Sequence, residues 1–163
     1  MISNRKHGFE TFDHTADIGI RAWGSDLAQV FEEIAKALFS VVVELNTVSA
    51  RQKMEVTLRA DSDGDLLLAW LKELLFIFET RRLLCKEFKV RLINKKITPS
   101  PLSSPPGRGR GQGEGVSLEA DIFCEKLDNT KHRLGREVKA ITLHQFKLIR
   151  EKSRYLAEVI LDI

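Results

Sequence analysis

Several large protein classes are set aside by what this 163-residue chain has little of. Its only cysteines, Cys85 and Cys124, lie far apart and neither belongs to a CxxC pair. Neither a metal-thiolate site nor a disulfide framework is indicated, and two reduced, half-buried thiols are expected. No run approaches the ~20 apolar residues that cross a bilayer. The segment from Met1 to Glu10 is polar, with no hydrophobic signal stretch, so no membrane partner is expected and the cytoplasm is the expected compartment. Charge of one sign is scarce too. The formal net charge is +3, and Arg108 and Arg110, in a stretch without acids from Ile97 to Gly113, supply two of those units. A balance this weak does not by itself support RNA binding. There is no GxxxxGK[ST] phosphate loop, no GxSxG nucleophile elbow and no HExxH zinc helix. Covalent catalysis by Ser or Cys therefore has no local support.

Proline is missing everywhere except between Pro99 and Pro106, where all four occur, and five of the ten glycines follow from Gly107 to Gly115. Such a composition cannot repay ordering entropy by apolar burial, so residues 97–114 are expected to form a flexible hairpin loop in an otherwise single domain of residues 1–163. Its Gly107-Arg108-Gly109-Arg110-Gly111 resembles arginine-glycine segments that contact RNA, in a weak, two-arginine version. The glycine run is not followed by a helix whose N-terminus would receive a phosphate.

What is present is periodicity. Gly8 to Thr15 and Ile18 to Trp23 read as two short extended segments. Ser25 is placed to cap a helix in which Leu27, Val30, Phe31, Ile34, Leu38, Val41 and Val42 recur at three- and four-residue steps, with Glu32, Glu33 and Lys36 on its wet face. Met54, Val56 and Leu58 alternate with polar residues as a one-sided strand. After Asp61-Ser62-Asp63-Gly64-Asp65, the segment from Leu66 to Phe78 is apolar at all but Lys72 and Glu73, which predicts a central buried helix. Its acids complement the helix dipole; a calcium loop fails on spacing, since the helix begins where further oxygen ligands are needed.

Strands follow at Phe88 to Leu92, ending near Lys95, and at Val116 to Cys124, with a polar turn at Asp128-Asn129. From Glu137 to Arg150 the apolar face changes side near Leu143-His144, which predicts a bulge there and an inward His144. Ala157, Val159 and Leu161 form the last alternating strand. Two long helices and about seven or eight strands, mostly joined by turns, predict an α+β domain with the helices packed on a largely antiparallel or mixed β-sheet.

Six polar residues stand where strands should be apolar: Asp13, His14, Asp17, Lys139, His144 and Asp162. Asp162 beside the carboxyl group of Ile163 would bring two anionic groups together at a buried strand end, and they would need a cation. A hard divalent ion, calcium or magnesium, suits such oxygens, and neutral His14 or His144 would widen the choice toward zinc or manganese. The plainer alternative is that Asp13 and Asp17 bond turn amides and Asp162 is solvated.

The sequence resembles the archease family. The resemblance lies in Phe12-Asp13-His14-Thr15-Ala16-Asp17-Ile18-Gly19, Ala22-Trp23-Gly24, Leu66-Leu67-Leu68-Ala69-Trp70-Leu71, Glu137-Val138-Lys139-Ala140-Ile141-Thr142 with His144, and Leu161-Asp162-Ile163. The Pro/Gly/Arg loop is longer than is usual in that family, and Leu143 stands where an aromatic is commoner. The resemblance implies an accessory protein of an RtcB-type RNA ligase, not itself an enzyme. Such a protein promotes guanylylation and multiple turnover of the ligase in tRNA splicing or RNA repair. It further implies that Asp17 and Asp162 bind a divalent metal, calcium first and magnesium or manganese as alternatives, with the backbone or terminal carboxylate of Ile163 nearby. Lys139 would be required beside them, and His14 and His144 would line the same cleft. Asp13 lies in the motif without an implied role. RNA would be met only indirectly, or weakly through Arg108 and Arg110. An independent metal-dependent phosphoesterase and an RNA-binding chaperone are the competing expectations.

Overall fold

The computed structural model describes residues 4–94 and 115–163; the expected loop at residues 97–114, with Arg108 and Arg110, lies outside the described residues. The element order is β1 (Gly8–His14), β2 (Asp17–Gly24), α1 (Leu27–Val42), β3 (Gln52–Ala60), α2 (Asp63–Arg81), β4 (Leu83–Asn94), β5 (Val116–Lys126), β6 (Ala140–Glu151) and β7 (Arg154–Asp162). The α+β class is as expected, but the strands form two sheets. One has the order β1-β2-β7-β6 and the other β3-β5-β4, with every pairing antiparallel.

Both helices touch both sheets: α1 packs on β1, β2, β7 and β4, and α2 on β3, β4, β5 and β6. This explains why α1 buries residues all round, including Ala35, Ala37 and Phe39 beyond its predicted stripe. It also overturns the placement of Glu33 on a wet face. Glu33 is only 6% exposed, and its carboxylate is met by His7 Nδ1 and Lys36 Nζ, each at 3.1 Å. The cap of α1 is Asp26 rather than Ser25: Asp26 Oδ1 accepts the Gln29 N–H at 2.8 Å, while Ser25 binds the Gln29 side chain. α2 is capped by Ser62, and Asp63 and Asp65 occupy its first turn, as the dipole argument requires. Its Leu66, Leu67, Trp70, Leu71 and Leu74 are fully buried, with Trp70 Nε1 donating to the Phe31 carbonyl at 2.9 Å. The helix is not buried throughout, for Phe76 is 57% exposed.

The cysteines differ most from expectation. Cys85 on β4 and Cys124 on β5 are directly opposed, fully buried and joined in a disulfide. Their separation of 39 positions hid a contact that only strand pairing creates. The predicted bulge in β6 is present: its register with β7 breaks between Thr142 and Lys147, and Gln145 inside the break has a φ of 54°.

Candidate functional site at one end of the four-stranded sheet

The order β1-β2-β7-β6 brings four strand ends to one end of the sheet: the close of β1, the start of β2, the close of β7 and the start of β6. At the hairpin tip His14 pairs with Asp17; β2 pairs Ile18 with Leu161; β6 pairs Ala140 with Asp162. Carried one residue past Ile18 and Leu161, the register sets Asp17 across from Asp162. His14, Asp17 and Asp162 thus share a cross-strand row and project to the same face. All three are partly buried. The Lys139 N–H donates to the Asp162 carbonyl at 2.7 Å, which fixes the main chain of Lys139 beside the last two residues. Ile163 packs its side chain against the core.

Asp13 does not join this row. It pairs with Ile18, whose neighbours Leu161 and Ile141 are core residues, so it belongs to the helix-facing side of an edge strand and is exposed there. Strand alternation sends adjacent residues to opposite faces, which separates Asp13 from His14 and Asp17.

His144 is exposed and not turned into the core as its parity predicted. Parity fails because the bulge interrupts the pleat. Edge strands β1 and β6 of a flat four-stranded sheet would be about 14 Å apart, three spacings of about 4.8 Å. The rings of His14 on β1 and His144 on β6 nevertheless meet edge to face, with centroids 5.6 Å apart. His144 lies inside the broken register of β6 beside the left-handed Gln145, and its contact with His14 puts it at the end of the sheet where His14 pairs with Asp17.

A Cβ on Gly64 would meet the Phe146 ring at 3.7 Å, so the first turn of α2, with its acids and its dipole, packs on β6 two residues beyond His144. Nothing in the spacing of Gly64 and Phe146 announces this contact. At the hairpin tip Thr15 has a φ of 48°, an unfavourable conformation for a β-branched residue. His14 Nδ1 is buried without a hydrogen-bond partner among the described residues.

Two aspartates in one row fit a small hard cation, since cross-strand Cβ atoms about 5 Å apart allow two carboxylates to share an ion. Among the described residues no three His, Cys, Asp or Glu side chains already converge on a point, so side-chain oxygens alone do not complete a shell. No helix among them is long and apolar enough to cross a membrane.

A model of the archease protein family (MTH1598/TM1083) matches residues 9–163, which include every residue of this site. The archease of Pyrococcus abyssi is 35% identical over 156 residues, covering 95% of this chain and 98% of its own length. The archease-like protein of Drosophila melanogaster is 33% identical over 158 residues, covering 95% and 90%. The solution structure of protein 1598 of Methanobacterium thermoautotrophicum matches with a TM-score of 0.76 at 35% identity, over 96% of this chain and 99% of that one. A crystal structure of an archease from Thermotoga maritima, described as a possible chaperone, shares the fold at a TM-score of 0.54 and 15% identity, over 94% and 96%. With the family's model spanning the chain from Phe9 to Ile163, and relatives matching over nearly the whole of both chains, this chain belongs to the archease protein family.

Proposed function

We propose that this protein activates an RtcB-type RNA ligase in tRNA splicing or RNA repair, promoting its guanylylation and repeated turnover, and that it acts in the cytoplasm without turnover of its own. The working end is the row of Asp17 and Asp162, joined by the main chain of Ile163 and flanked by Lys139. The observation that carries this reading is the strand register, which aligns two carboxylates 145 positions apart in sequence with Lys139 hydrogen-bonded alongside. A divalent ion there, calcium by donor type, would neutralise triphosphate charge when guanylate is transferred to the ligase. Asp17 and Asp162 would hold that ion, and its charge would offset the repulsion between their carboxylates. Lys139 contacts a phosphate or a ligase carboxylate. Strand ends make a suitable tool for this, being a narrow edge able to enter another protein's cleft.

Single-turnover guanylylation of a cognate ligase, with and without this protein, tests the reading. Wild type should raise the rate at less than one activator per ligase, and Asp162→Ala should remove most of that gain. An unchanged ligase rate with wild type would sink the reading. Chelator-sensitive hydrolysis of RNA or nucleotides by this chain alone would favour a phosphoesterase instead.

A further inference from the structure

We infer that the end of the four-stranded sheet opposite Asp17 and Asp162 binds a single-stranded phosphodiester backbone, which under the proposed ligase activation is that of RNA. A net charge of +3 over the whole chain is too small to indicate this, but the fold sorts the charges. One end holds Asp13, Asp17 and Asp162 against Lys139. At the other, about 25 Å away along β2, stand the approach to β1, the close of β2 and the hairpin between β6 and β7. These carry Arg5, Lys6, Arg150, Lys152 and Arg154 against Glu151 and Asp26. Strand register sets them together: Gly8 pairs with Trp23, Gly24 and Arg150 both pair with Tyr155, and Glu151 pairs with Arg154. The Arg5 carbonyl accepts the Trp23 Nε1–H at 3.1 Å, which ties the residues before β1 to the same end.

Pairing and backbone geometry give the second argument. None of Arg5, Lys6, Arg150, Lys152 and Arg154 forms an ion pair among the described residues, whereas Arg21 and Lys147 on the same sheet are both paired with Glu158. All but the half-buried Arg154 are exposed. Lys152 opens the turn between β6 and β7 with a φ of 48°, a position that favours glycine, asparagine or aspartate. A strained backbone there presents an ammonium group at the hairpin tip. Arg150 lies over the Tyr155 ring, 5.6 Å from its centroid, which holds the guanidinium in place without neutralising it. A protein partner would need an apolar centre that closes out water. Here Trp23 is 2% exposed, Arg150 covers Tyr155, and the well-exposed Leu143 sits toward the other end of β6, which leaves Ile149 too small a centre. A phosphate chain asks only for cations on flexible stems. The backbone contact does not depend on the proposed function; the choice of RNA as the strand does.

Fluorescence anisotropy of a labelled single-stranded oligouridylate, titrated with the full chain over a series of KCl concentrations, provides the test. The logarithm of the binding constant should fall with that of the salt concentration at a slope of about −3.5, five phosphate contacts at about 0.7 each. Arg150→Gln/Lys152→Asn/Arg154→Gln should flatten the slope by about 2 and weaken binding at low salt at least about tenfold. Asparagine tolerates the left-handed turn, so loss of affinity in this variant is not loss of the fold. Lys89→Gln/Arg91→Gln, on the exposed face of the three-stranded sheet, should leave the slope as it is. No binding at low salt would overturn the inference. An unchanged slope in the triple variant, with binding lost instead in Arg108→Gln/Arg110→Gln, would overturn it by moving the contact to residues 97–114. Displacement by poly-L-glutamate as efficient as by unlabelled oligouridylate would overturn it in favour of an acidic protein partner. No ligase enters the assay, so its failure and failure of the guanylylation test are read separately.

Discussion

Thr15 stands at the hairpin tip between His14 and Asp17 in an unusual backbone conformation. A two-residue hairpin loop needs a left-handed residue, usually glycine or asparagine, yet here a β-branched threonine has a φ of 48°. That conformation costs about 1–2 kcal/mol. Thr15→Asn should therefore raise the stability by about 0.5–1 kcal/mol in urea titration, because asparagine tolerates the same backbone. No gain would mean that the threonine side chain recovers its own strain. Residue-level chemistry was legible in the sequence here: two acids and an imidazole within five positions exceed what a tight turn requires. The side taken by each was legible only in part, since alternation separates Asp13 from His14 but the register that aligns Asp17 with Asp162 is a property of three paired strands.

At the scale of elements, the bulge in β6 was foreseen because the apolar face changes side at Leu143-His144. Its consequence was not. A parity argument turns His144 inward, but it assumes a continuous pleat, and the pleat is what the bulge removes. Gln145→Val puts a β-branched residue at a φ of 54° and should destabilise the fold by about 1–2 kcal/mol. Equal stability of wild type and Gln145→Val would show that the segment relaxes without cost. α1 teaches a related lesson. Its three- and four-residue spacing located the helix and most of its core face, but a helix between two sheets buries more than one stripe, which is why Glu33 lies inside with His7 and Lys36 as partners.

The whole molecule is held together by contacts between segments remote in sequence, and one of them titrates. Glu125 at the end of β5 accepts hydrogen bonds from Lys131 Nζ at 2.5 Å, from the Ser49 N–H at 2.7 Å and from His132 at 2.9 Å. The Lys131 bond foremost, then the Ser49 amide and His132, lower its pKa from 4.5 to about 2. His132 in turn accepts the Asp128 N–H at Nδ1, so its Nε2 carries the proton it donates to Glu125. This cluster ties the turn after β5 to the segment before β3. Because the folded-state pKa is depressed, the stabilisation is fully present above pH 4.5 and is lost as the pH falls toward 2. Solvent screening at a carboxylate with 19% side-chain exposure keeps it on the order of 2 kcal/mol. Urea unfolding between pH 6 and pH 2.5 should show the loss in wild type and a shallower one in Glu125→Gln; parallel slopes would assign the acid sensitivity elsewhere.

The sequence alone determined the elements, because helix and strand periods follow from which face of each segment must leave water. It also supplied the candidate chemistry, because carboxylates and imidazoles in a short hairpin have few structural uses. Tertiary structure decided what periodicity cannot carry: the division into two sheets, the disulfide between opposed cysteines, the burial of Glu33, and the meeting of His14 with His144. Each of these depends on long-range pairing, in which distance along the chain says nothing about distance in space. Strand register sets Asp17 across from Asp162, and His144, inside the broken register of β6, meets His14 at the same end.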